Sequence, residues 1–513
     1  MKSSTVAVHW HDENQSIYSA DFQPQKGKNM DRLVTGGGDN NIRVWRLHYN
    51  EKTGEYSVEY LSTMKKHTQA VNVVRFDPSG QVIASAGDDG TLMLWKLSEN
   101  VVKREFGEEA DEDIQESWIV KKIYRTSISE IYDLAWSPDS KFIATGSMDN
   151  ITRIYNVVTG EQIYQMNDHS HYVQGVAWDP KDNYLATQSA DRSVIFYRLK
   201  RKENDGLDVS LLAKSSRIDL SAIRPHESTR EHLDKVGTMR EPPDKTDETK
   251  PDSHETNKGD STEVPKKTMS LYYPETLQSF FRRLTFSPDG SLVLTPLGIY
   301  RDDCLESMPK VESNENTWNT VFVYARSNLE KLPICYIPSI KRPAIAIAFS
   351  PIFYERSADV QAFSLPYKMI FAIATQDSVI IYDTCSLSPL AYISNLHYSS
   401  ITDIRWDTDG LRIIVTSTDG FCSAITFGEN AFGKIYKDLS GFVTHVSSTA
   451  ELDDKKQTLI DNGQNLKNID STDKELSEDK GKGSLSKSEV YHKSEEPMKH
   501  SSKKRRVVPM PVQ

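Results

Sequence analysis

A chain of 513 residues with a hydrophobic fraction of 37% has ample material for a buried core, and its net charge of −11 argues against tight, direct nucleic-acid binding while suiting basic protein partners. The four cysteines, Cys304, Cys335, Cys385 and Cys422, are too widely spaced for a zinc site or a redox pair, and read as reduced, partly buried apolar side chains of an intracellular protein. Met1-Lys2-Ser3-Ser4 leads into an alternating stretch and not an apolar signal core, and no apolar run approaches the ~20 residues of a membrane helix, so a soluble, non-secreted protein is expected.

The first element, Thr5-Val6-Ala7-Val8-His9-Trp10, alternates as a half-buried strand and stands ahead of the first full repeat. Six copies of an aromatic-x-Pro step follow: Phe22-Gln23-Pro24, Phe76-Asp77-Pro78, Trp136-Ser137-Pro138, Trp178-Asp179-Pro180, Phe286-Ser287-Pro288 and Phe349-Ser350-Pro351. A seventh, Trp406-Asp407-Thr408, lacks the proline. Each closes an alternating stretch such as Val71–Phe76, and the proline stops the ladder in a turn. Self-similarity over several tens of residues marks a repeat architecture.

The repeat has a phase. Asp39, Asp89, Asp149 and Asp191 sit in polar turns six residues before Trp45, Trp95, Tyr155 and Tyr197, where Asx side chains cap the backbone. His67, His169 and His397 each precede a β-branched residue by four, Val71, Val173 and Ile401. This pattern resembles the WD-repeat signature, which implies an all-β, seven-bladed propeller with four strands per blade. The blades centre on Phe22, Phe76, Trp136, Trp178, Phe286, Phe349 and Trp406, the fifth and sixth being degenerate, with no Asp at the expected offset. The leading segment is expected to supply the missing strand of the last blade and so close the ring. The resemblance also implies a hydrogen-bonded tetrad, His67, Ser85, Asp89 and Trp95 in the second blade, which satisfies buried polar groups and is structural, not catalytic.

Blades one to four occupy residues 1–200 and blades five to seven residues 271–437. Between them, 201–270 contains no aromatic and is dense in Lys, Glu, Asp, Ser and Pro, the composition of a disordered insert. Residues 438–500 read as a disordered tail for the same reason. The shorter insert Glu108–Asp113 is acidic, either a dock for a basic partner or a solvated loop. The last segment, 501–513, differs: Lys503, Lys504, Arg505 and Arg506 resemble a nuclear import signal, and Val507-Val508-Pro509-Met510-Pro511-Val512 follows. The prolines favour an extended backbone, suited to strand addition on another protein's sheet edge, with Arg505 and Arg506 available to its acidic side chains. The other reading is an import signal followed by an inert end.

No Gly-rich phosphate loop occurs, since Gly36-Gly37-Gly38 runs into a turn and a strand; there is also no G-x-S-x-G elbow and no H-E-x-x-H. Paired carboxylates such as Asp88 and Asp89 fall in turns and are expected to be solvated. No enzyme, metal or cofactor is expected.

Local words are more specific than the repeat. Glu130–Pro138, His171–Pro180 with Gln188–Ser193, Ser279–Arg283, Arg342–Ala344, Phe349–Glu355, Leu365–Lys368 and Ser417–Cys422 resemble the middle WD-repeat subunit of chromatin assembly factor 1, and Lys503–Val512 resembles that family's closing motif. The likeness covers nearly the whole propeller and the last dozen residues. It implies a non-catalytic nuclear histone chaperone subunit that helps deposit core histones (H3–H4) on DNA behind replication and repair forks. Implied partners are the large and small subunits of the complex, core histones held directly or through it, and a histone chaperone of the anti-silencing-function type; a sliding clamp is met only indirectly, with no membrane and no sequence-specific nucleic-acid contact. Docking on the anti-silencing-function chaperone falls, by resemblance, on Arg505, Arg506, Val507, Val508 and Pro509, and import remains compatible with the same basic residues. Val507-Val508 departs from the isoleucine-then-polar step common in related motifs. One rival is the replication-independent WD-repeat chaperone, which continues into a large second domain; this chain stops at its closing motif. A ubiquitin-ligase receptor is a second, but Trp45-Arg46-Leu47-His48 and Trp95-Lys96-Leu97-Ser98 lack the Trp-Asp-x-Arg such receptors use. A phosphopeptide or trafficking scaffold is a third.

Overall fold

The computed structural model describes residues 1–437 apart from 7, 25–31, 51–54, 102–112, 126–128, 204–205, 220–267, 278, 302–316 and 357–361. Seven four-stranded antiparallel sheets occupy this region. Their innermost strands are Ile17–Phe22, Val71–Phe76, Ile131–Trp136, Val173–Trp178, Thr285–Phe286, Ala344–Tyr354 and Ile401–Trp406. Each lies beside the innermost strands of its two neighbours, and the seventh returns to the first, so the sheets stand as blades around an axis. The seven aromatic-centred repeats are the seven blades.

Closure joins the two ends of the ring. Lys2–Val6 is the outermost strand of blade seven and pairs antiparallel with Cys422–Thr426, Val6 facing Cys422. The strand begins and ends earlier than the Thr5–Trp10 alternation suggests. Beyond Val6 the chain turns, and the buried Trp10 donates its indole N–H to Val6 O (3.1 Å) while packing edge-on against Trp45 of blade one, ring centres 5.1 Å apart. One tryptophan therefore ties the closing strand to the next blade.

The aromatic-x-Pro steps make tight turns because the middle residue caps them. Asp77 accepts the backbone N–H groups of Gln81 and Val82 (both 2.8 Å), Asp179 those of Lys181 and Asn183 (both 3.0 Å), and Ser137 Oγ that of Phe142 (2.9 Å). The core is divided into seven apolar clusters, one at each blade interface. Between blades one and two, Val34, Ile42 and Val44 meet Val74, Phe76 and Trp95.

The stretch 201–270 is not irregular throughout. Leu207–Ser215 pairs with Ser193–Arg201 as the outermost strand of blade four, and Arg217–Asp219 pairs with Thr268–Ser270. An edge strand buries one face only, so Leu207 with partly buried Val209 suffices where aromatics are absent. Residues 220–267 lie outside the described region, as do the acidic insert from Glu108 to Glu112 and the whole of 438–513.

Candidate partner-binding site

Six of the seven innermost strands carry a register shift at their second residue, between Ile17 and Ser19, Val71 and Val73, Ile131 and Asp133, Val173 and Gly175, Ala344 and Ala346, and Ile401 and Asp403. A bulge re-aims the extra side chain. Tyr132, Gln174, Ile345 and Thr402 are four of these extra residues, and they line the channel mouth on the face where the innermost strands begin. Blade five has no such bulge; its leading loop brings Phe280 and Phe281 to the same mouth, a recess of about 540 Å³. Phe280 is 64% exposed.

Below this mouth the channel is charged. Asp21, Asp133 and Asp403 face Arg75, Arg283 and Arg405, three charges of each sign. Arg283 leaves blade five and crosses the axis. Its guanidinium donates to the carbonyls of Tyr18 (3.0 Å) and Asn72 (3.1 Å) and to Asp133 Oδ1 (3.1 Å), contacting blades one, two and three together. Arg75 donates to Asp403 Oδ2 at 2.8 Å, joining blades two and seven. Burial pulls Arg283 down to about 10. Burial pushes Asp403 upward, but Arg283, Arg75 and Arg405 outweigh it and hold the carboxyl well below the usual range. Ion pairs among these groups brace blades two, three, five and seven against one another at the axis.

The predicted tetrad residues of blade two come together. His67 shares hydrogen bonds with Asp89 through Nδ1 (2.9 Å) and with Ser85 Oγ through Nε2 (2.8 Å), and Trp95 Nε1 donates to the same hydroxyl at 2.8 Å. The reading of Asp89 as solvated is corrected here. Its side chain is 5% exposed. Burial favours its protonation, yet the His67 hydrogen bond and charge, with Thr91, hold it at about 2. Asp88, one residue away, is half-buried and shifted upward by burial, then by Glu130 and Asp89.

Other blades vary this network. Blade one repeats it with His11, Asp39, Thr35 and Trp45: His11 Nδ1 lies 2.6 Å from Asp39, and Trp45 donates to Thr35 Oγ1 at 3.0 Å. Burial lowers the His11 pKa. Sequence reasoning missed His11 because it precedes Ile17 by six residues, the 3₁₀ turn Asp12–Asn14 lying between. Blade three has Arg153 on Asp149 in place of a histidine. Blade four joins His169 to Asp191 and Thr187, while Tyr197 turns its hydroxyl to Asp168. Blade seven keeps His397 and Asp419 but has Val415 where the hydroxyl would stand. In blade six the turn is one residue shorter, Ala374 pairing with Val379, which removes the capping Asp from its usual offset.

The candidate docking and import residues, Lys503 to Pro509, lie outside the described residues. Cys335, Cys385 and Cys422 are buried, and burial raises Cys335 to about 12. Among the described residues no group of three His, Cys, Asp or Glu side chains is placed to hold a metal ion, and no helix is long and apolar enough to cross a membrane.

Comparison with known proteins bears on the whole ring. The model of the CAF1B/HIR1 beta-propeller domain matches residues 1–229 and 242–432. The chain is 40% identical over 467 residues to the CAF1B subunit of chromatin assembly factor 1 from Schizosaccharomyces pombe, covering 84% of this chain and 89% of that one. It is 38% identical over 462 residues to the same subunit from Saccharomyces cerevisiae, covering 84% and 87%. To protein HIR1 of Kluyveromyces lactis it is 25% identical over 438 residues, 82% of this chain but 42% of that one.

Proposed function

The chain belongs to the CAF1B/HIR1 β-propeller family, and from that premise we propose that it is the middle, non-catalytic subunit of a chromatin assembly factor 1 histone chaperone in the nucleus. The carrying observation is the contrast in likeness: 40% identity with matched lengths to the CAF1B subunit of one yeast, against 25% to a HIR1 protein of which less than half aligns. The ring is a platform whose buried polar groups bind each other, leaving its faces and rim to hold partners. Those partners are the large and small subunits of the complex and, directly or through them, core histones H3–H4 bound for newly replicated or repaired DNA.

The closing motif serves delivery. Arg505, Arg506, Val507, Val508 and Pro509 dock by strand addition on a histone chaperone of the anti-silencing-function type, and Lys503 to Arg506 also serve import. Tethering raises the donor's concentration near the acceptor complex. An isolated peptide of this length binds with micromolar affinity at best, about −8 kcal/mol.

Affinity purification of the full chain from dividing cells tests the reading. Recovery of the large subunit with core histones supports it; recovery of a cullin adaptor or coat proteins instead rejects it. Replacing Arg505, Arg506 and Val508 together by Ala should abolish capture of the anti-silencing-function chaperone while the large subunit stays bound. Unchanged capture removes the motif from the account.

A further inference from the structure

Several turn carboxylates of this ring meet a basic side chain. Asp39 meets Arg43 and His11, Asp149 meets Arg153, Asp191 meets His169 and Lys214, and Asp419 meets His397. Asp88 and Glu130 differ from these. Asp88 sits in a turn of blade two and Glu130 in the loop leading to blade three, and both line one groove of about 880 Å³. Neither forms an ion pair among the described residues; Asp88 accepts from Asn72, and Glu130 accepts from the Tyr132 hydroxyl at 2.9 Å. Lys66 and Arg125 line the groove too. Burial raises the Asp88 pKa, and the like charges of Glu130 and Asp89 raise it further.

The groove continues to an apolar recess. Tyr132, bonded to Glu130, approaches Tyr172 (ring centres 6.2 Å apart), and both line the channel mouth with Leu277 and the exposed Phe280. Glu275, more than half exposed, adds a third carboxylate at that mouth, in contact with His171. Negative charge running into exposed aromatic surface is complementary to an extended segment that pairs a cation with apolar side chains.

We propose that this face of the ring binds an extended partner peptide, a lysine or arginine lodging between Asp88 and Glu130 and a flanking apolar side chain resting on Phe280 at the axial mouth. The occupant is a basic-apolar segment of another protein, and the site is separate from the chain's own closing motif. A cation there relieves the Asp88–Glu130 repulsion, so the free ring is primed for it.

Fluorescence anisotropy with the full chain tests this, the probe being a short labelled peptide alternating lysine and valine, with a glutamate–valine peptide as its counterpart. The basic peptide should bind and the acidic one should not. The double variant Asp88→Asn with Glu130→Gln should weaken binding about tenfold, and Phe280→Ala about threefold. Asp208→Asn with Glu330→Gln removes the same charge from exposed positions elsewhere and should leave binding within about twofold. If the basic peptide does not bind, or if both double variants weaken it equally, the attraction is that of a diffusely acidic protein and the assignment is overturned. All substituted side chains are half-buried or exposed, so thermal midpoints close to the parent's accompany a valid comparison.

Discussion

Blade two and blade seven hold their strands by different means. Blade two carries a complete polar network, His67, Asp89, Ser85 and Trp95, in which one serine hydroxyl serves two ring nitrogens. Blade seven keeps only the His397–Asp419 pair, with Val415 and Ile425 at the positions of the serine and the tryptophan. It is held instead by closure and by the axis. Lys2–Val6 covers its outer edge, Asp403 is gripped by Arg75, and Trp406 packs with Phe427 and Phe432. A propeller blade thus needs its strands pinned, but a polar network, a borrowed strand and apolar packing are interchangeable ways to pin them.

Removing the borrowed strand is the harshest test of that equivalence. Deleting residues 2–6 takes away the pairing of five residues and exposes the Cys422–Thr426 edge. The expected cost is on the order of 5 kcal/mol, with aggregation that rises with protein concentration. Denaturant unfolding and light scattering on the full chain check it; a monodisperse protein of parental stability would show that blade seven stands without closure.

The axial brace comes next. Arg283→Met keeps the unbranched apolar stem of the side chain but strands Asp133 and leaves Asp403 with fewer counter-charges in a buried channel. A loss of about 3–5 kcal/mol follows from leaving such a partner uncompensated. Because the guanidinium contacts blades one, two and three, the whole ring should melt in one earlier transition.

Most of this architecture was legible in the chain, for reasons that also explain what was not. The aromatic-x-Pro steps stood out because each turn needs a capping residue and a ladder stop at the same place. The Asp-to-aromatic offset stood out because a strand hairpin of fixed length fixes it, and blade six escaped because its turn is one residue shorter. His11 was invisible to the four-residue spacing once the Asp12–Asn14 turn had lengthened it to six. Leu207–Ser215 has the composition of the insert around it because an outermost strand needs little apolar surface. The charged axis could not be found at all: Arg283 meets Asp133 across 150 positions, and no local pattern announces such a pair. The unpaired Asp88 and Glu130 were hidden likewise, since a carboxylate is recognised as unneutralised only after every neighbour is placed.

Within the tetrads themselves the effects shrink. Ser85→Ala leaves the Trp95 indole N–H and His67 Nε2 without their common partner in a buried site, at a cost of about 2–3 kcal/mol in denaturant unfolding. A value near zero would mean that packing alone holds blade two and that the network contributes little.

The converse substitution completes the comparison. Val415 is fully buried, faces Ser423 on the neighbouring strand, and occupies the position four residues before Asp419 where blades one, two and four place Thr35, Ser85 and Thr187. His397 Nε2 has no side-chain hydroxyl to meet there. Val415→Thr changes one methyl to a hydroxyl at almost constant volume. If the histidine captures that hydroxyl, the new hydrogen bond offsets the cost of burying it and stabilises the ring by up to about 1 kcal/mol. If it does not, the buried hydroxyl stays unpaired and the variant is destabilised by about 1–3 kcal/mol. The sign of the change in denaturation midpoint therefore decides whether blade seven still has the geometry of a tetrad that lost one atom, or has been rebuilt around closure.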